Sequence, residues 1–83
     1  MRTASPQLVA FGRTLRKARR DRDLSQEALA DEAGLSAKHV GEIERANKDP
    51  RTTTVVRLAD ALGVTVAALY GLSETHGSGK PPT

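Results

Sequence analysis

The sequence predicts an all-α domain of five short helices, and three observations carry that expectation. Apolar residues from Leu8 to Ala18 recur at helical spacing, and Ser25, Gly34, Ser36, Gly63 and Thr65 stand where helices begin or end. The chain has 83 residues and no cysteine, so one domain must hold together by packing, without disulfides or a thiolate zinc site.

Taken at 100° per residue, Leu8, Phe11, Gly12, Leu15 and Ala18 fall within an arc of about 120°. The first helix is therefore expected over about Gln7 to Asp21, after an N-terminal arm of residues 1–6. Arg13, Arg16, Lys17 and Arg20 occupy a separate arc, whereas Arg19 lands inside the apolar one. Ser25 can cap a second helix, Gln26 to about Ala33, with Glu27 favoured by the helix dipole and Gly34 suited to the positive φ of a helix end. Ser36 caps the third helix almost at once. That helix, about Ala37 to Arg45, has Val40 and Ile43 on one side and Ala37, Lys38, Gly41, Glu42 and Arg45 on the other. Asn47 to Pro50 read as a polar loop. A fourth helix from about Thr53 turns Val55, Leu58, Ala59 and Leu62 inward and stops at Gly63; Thr65 caps a fifth, Val66 to Tyr70. The folded unit is thus expected over residues 7–72. The Ser-, Gly- and Pro-containing residues 73–83 lack periodicity and are expected to form a disordered tail.

Thirteen Lys and Arg against ten Asp and Glu give a formal charge of +3, which points to an anionic partner. Six basic residues (Arg13, Arg16, Lys17, Arg19, Arg20 and Arg22) crowd into ten positions of the first helix region. Such a run either solvates the helix or touches phosphates. One Phe, one Tyr and no Trp leave no stacking platform for single strands, so duplex is the expected form of nucleic acid. The N-terminus has no apolar core of signal-peptide length, and no run approaches the ~20 apolar residues of a membrane span. A soluble, cytoplasmic protein with no membrane association is expected.

A helix, a turn carrying Gly34 and a second helix capped by Ser36 form the helix-turn-helix spacing, in which the second helix enters the major groove. The segments LSQEALADEAGLSAKHVGEIERANKDP and VVRLADALGVTVAALY, within Phe11 to Tyr70, resemble the Cro/C1 (XRE) repressor family. The resemblance implies a five-helix domain that binds operator DNA as a two-fold homodimer and regulates transcription. It implies that Gln26 binds a phosphate and props the start of the reading helix, that Ser36, Ala37, Lys38 and Glu42 face DNA with His39 beside them, and that Asn47, Lys48 and Arg51 touch the backbone. Arg45 shares the DNA-facing arc. Lys38 can donate to guanine, Glu42 can accept from cytosine N4, and Ala37 can pack on a thymine methyl. The plainer reading of Lys38 and Glu42 is a solvated pair one turn apart.

Arg19 and Glu44 both fall on apolar sides, where an unpaired charge is costly; the resemblance places a salt bridge between them. Ala46 stands where the family often has glycine, with Asn47 able to supply the left-handed turn, and Arg51 with Thr52 replace the usual small cap and following aliphatic. Val66, Leu69, Tyr70 and Leu72 form either a dimer interface or the closure of the monomer core. Two histidines without cysteine make no metal site, His76 reads as solvated, and no cofactor is expected. Gly79 and Lys80 fail as a phosphate loop because Glu74 replaces its first glycine and Pro81 its Ser or Thr. No catalytic constellation is present. The competing function is a protein-interaction module of the same shape, such as an antitoxin or a partner-binding regulator.

Overall fold

Hydroxyl caps set four of the five helix starts in the computed structural model, which describes residues 5–72. Ser5, Ser25, Ser36 and Thr65 accept from the backbone N–H groups of Leu8, Ala28, His39 and Ala68 at 2.9–3.1 Å. The helices are α1 (Pro6–Asp21), α2 (Gln26–Ala33), α3 (Ala37–Glu44), α4 (Thr52–Leu62) and α5 (Val66–Leu69), and among the described residues there is no strand. Ser5 and Pro6, expected in the arm, instead cap and open α1, because proline's fixed φ suits the first helical position. Arg51 at the N-cap of α4 makes no side-chain cap, and that helix starts at Thr52, one residue earlier than expected. Residues 1–4 and the expected tail, with His76, lie outside the described residues.

Three helix ends use glycine: Gly34 at φ 73° and Gly63 at φ 70°, both as expected, and Gly71 at φ 76° after α5. The ends of α1 and α3 do not. Asp23 (φ 55°) follows α1, and Ala46 (φ 63°) follows α3. Ala46, not Asn47, takes the left-handed conformation; Asn47 N–H donates to the Glu42 carbonyl at 2.8 Å, and Ala46 N–H to that of Ile43 at 3.0 Å, closing a Schellman turn. A β-carbon in that region is disfavoured by about 1–2 kcal/mol. Ala46→Gly is therefore expected to stabilise the domain by about 1 kcal/mol after the extra unfolded-state freedom of glycine is subtracted, measured as a rise in the denaturation midpoint. A fall would show that the Ala46 methyl contributes packing that outweighs the strain.

The core is drawn from every helix. Phe11, Leu15, Leu29, Val40, Ile43, Val55, Leu58 and Leu69 are the large side chains withdrawn from water. α1 packs against α3 and α5, and α2 against α3 and α4. Burying one such side chain contributes roughly 1.5–3 kcal/mol. Leu69 is fully buried and closes the monomer, which removes it from the expected dimer surface. Its neighbours differ: Val66, Tyr70 and Leu72 are exposed, with the Tyr70 ring leaning on Phe11 at 4.9 Å between centroids.

Candidate nucleic-acid interface

The short turn around Gly34 delivers α3 with its polar side outward. Val40 and Ile43 are fully buried beneath, so the helix has one register in which it can sit. Lys38 is exposed, while His39 and Glu42 are half-buried. No ion pair joins Lys38 to Glu42 among the described residues, which leaves both heads free for a ligand. Ser36 is exposed, its oxygen engaged by the His39 N–H and its hydroxyl proton still available. Ala37 is half-buried and packs against the core, so only part of its surface faces outward. Arg45, Asn47, Lys48 and Arg51 are all exposed, continuing the polar surface from the end of α3 into the next loop.

Beneath this surface lies an ionic frame. Arg19 Nε donates to Glu44 Oε2 at 2.7 Å and Arg19 Nη2 to Glu44 Oε1 at 3.1 Å, a bidentate pair with side-chain exposures of 11% and 3%. Hydrogen bonding to Glu44, opposed by burial and aided by the carboxylate's charge, raises the Arg19 pKa, so the guanidinium stays charged at any working pH. Its third donor, Nη1, reaches the Leu24 carbonyl at 2.8 Å and ties down the turn after α1.

Three features of this frame escape a reading of spacing alone. Gln26 Nε2 donates to Glu44 Oε1 at 3.0 Å, linking the start of α2 to the end of α3. Arg22, counted in the basic run, donates to the Ala61 carbonyl at 2.7 Å and so braces α1 against α4. Gly12 permits direct backbone contact, since a β-carbon there would lie 2.6 Å from the Glu44 carbonyl oxygen and 2.8 Å from that of Ile43. A glycine inside an apolar helical arc is the one sequence signal that could have revealed it. The remaining basic side chains of α1, Arg13, Arg16, Lys17 and Arg20, are exposed, with Lys17 in a surface pair to Asp21 at 2.9 Å.

Among the described residues no three His, Asp or Glu side chains gather as a metal site, and no helix is long and apolar enough to cross a membrane. A capped helix, a left-handed glycine and a second helix presenting free polar side chains define a helix-turn-helix domain. Residues 10–74 match the family model described as a helix-turn-helix domain, and the chain belongs to that family, in its Cro/C1 (XRE) type. These proteins are regulators and not enzymes.

Over 63 residues the chain is 37% identical to the immunity repressor protein of Bacillus phage phi105, a match covering 76% of this chain and 44% of the repressor. The chain therefore spans a little under half the length of that relative. Among solved structures it resembles the restriction-modification controller protein C.AhdI from Aeromonas hydrophila, with a TM-score of 0.76, 37% identity, and coverage of 78% of this chain and 98% of that one. It also resembles the P22 c2 repressor in complex with a synthetic operator, with a TM-score of 0.68, 25% identity, and coverage of 71% and 89%.

Proposed function

We propose that this chain is a sequence-specific duplex-DNA-binding transcriptional regulator, a repressor, that reads a palindromic operator as a homodimer with α3 in the major groove. The observation that carries the reading is the outward side of α3, where Lys38 and Glu42 stand unpaired above a buried Val40 and Ile43. The likeness to a repressor crystallised on its operator supports the same reading. Lys38 and Glu42 address the donor and acceptor pattern of G·C pairs, Gln26, Asn47, Lys48 and Arg51 grip phosphates, and Ser36, Ala37, His39 and Arg45 complete the contact surface. The exposed Val66, Tyr70 and Leu72 are the surface for a second copy.

Selection of bound sequences from a random duplex pool tests this directly. The expected motif has two-fold symmetry, G·C pairs in each half-site, and half-site centres about 34 Å apart. Lys38→Ala is expected to flatten the preference at one guanine, a discrimination of about 1–3 kcal/mol, while non-specific binding persists. A motif unchanged in the variant would remove Lys38 from base recognition. Failure to enrich any sequence would favour the protein-interaction module.

A further inference from the structure

Gly41 lies buried in the middle of α3, where glycine weakens a helix relative to alanine. Its φ is not positive, so no backbone requirement explains it. Space does. A β-carbon on Gly41 would sit 3.1 Å from Arg45 Nη1, 3.4 Å from Gln26 Oε1 and 3.6 Å from Gln26 Nε2. Polar atoms of two side chains, one from α2 and one from the end of α3, thus gather over a single point of the helix backbone. The Gln26 amide is oriented from below, because Nε2 donates to Glu44 Oε1 and that carboxylate is fixed by Arg19. Only one of the two Nε2 hydrogens is used there, and the second has no protein partner among the described residues.

We propose that Gly41 is a positioning residue for DNA binding: its missing side chain leaves the notch that holds the Gln26 amide and the Arg45 guanidinium together as one seat for a phosphodiester. The inference rests on duplex binding by α3. An amide N–H beside a guanidinium supplies donors for both non-bridging oxygens, and their placement before binding reduces the side-chain ordering that association requires. A methyl at Gly41 pushes flexible ends outward while leaving the helix backbone in place.

Gly41→Ala separates this role from a packing role. Its melting temperature is expected to be unchanged or raised by a few degrees, since alanine favours the helix. Its affinity for the duplex selected by the wild-type chain is expected to fall about tenfold, the scale of one hydrogen bond to a charged group. The slope of log K against log salt should shrink by about 0.9, the share of a single phosphate. In a Gln26→Ala background, Gly41→Ala should weaken binding much less, because the seat is already broken. The Gln26 side-chain amide resonances should also shift in Gly41→Ala without DNA. Wild-type affinity and slope in the variant, or equal losses with and without Gln26, would overturn the proposal while leaving duplex binding intact. A variant melting well below wild type would also overturn it, by showing that the glycine serves packing. A wild-type chain that binds no duplex would overturn DNA binding itself and this inference with it.

Discussion

Arg19→Ala is expected to lower the melting temperature by on the order of 20 °C, whereas Arg20→Ala, one position along the same helix, moves it by no more than a few degrees. The substitution removes two bonds to Glu44 and one to the Leu24 carbonyl, and it strands a carboxylate whose side chain is 3% exposed. Breaking a buried pair in this way costs about 3–5 kcal/mol. Domains of this size hold about 5–15 kcal/mol in total, so the loss is a large share of stability. Arg20 is exposed and has no ion-pair partner among the described residues. Thermal unfolding of the two variants side by side decides the matter: equal shifts would mean that the Arg19 pair adds no more than an ion pair at the surface.

The second large effect belongs to Gly12. Alanine there is expected to destabilise the domain by about 2 kcal/mol or more, even though alanine is the better helix former. The obstacles are the carbonyl oxygens of Glu44 and Ile43, at 2.6 and 2.8 Å from the added carbon, and a backbone cannot rotate out of the way as a side chain can. α1 and α3 must separate, which also stretches the Arg19–Glu44 pair. The same substitution at Gly41 meets only side-chain ends, so of these two buried helical glycines only Gly12 is expected to lose stability when replaced by alanine. Denaturant midpoints measure this directly. An undiminished midpoint for Gly12→Ala would show that the two helices part at little cost.

What the sequence disclosed was mostly local. The α2–α3 corner was legible because a serine cap, a left-handed glycine and a second serine cap act within a few residues of one another. The apolar stripe of α1 was legible because a period of 3.6 survives single exceptions, and Arg19 as the exception pointed to a partner. Tertiary determinants were not legible in the same way. Ala46 rather than Asn47 takes the left-handed turn, closed by the Ile43 and Glu42 carbonyls, although propensity alone favours asparagine. Leu69 and Tyr70 are neighbours in an apolar run, yet one is fully buried and the other is 44% exposed, a difference decided by the placement of a four-residue helix against α1. At the candidate interface, spacing placed Ala37, Lys38, Glu42 and Arg45 on one arc, and the family resemblance supplied Gln26, Ser36, Asn47, Lys48 and Arg51. The link from Gln26 to Glu44 joins residues 18 apart and depends on how two helices cross.

Because the frame under α3 is made by Gly12, Arg19, Gln26 and Glu44, while Lys38 has no ion-pair partner among the described residues, the two sets of positions differ in what a substitution costs the fold. On the proposed reading of α3 in the major groove, substitutions at Lys38 are expected to change which bases are preferred without touching foldability, so a second copy of this domain altered only at that surface would take a different operator. The frame has no such freedom, and its loss removes the scaffold on which any new preference could be written.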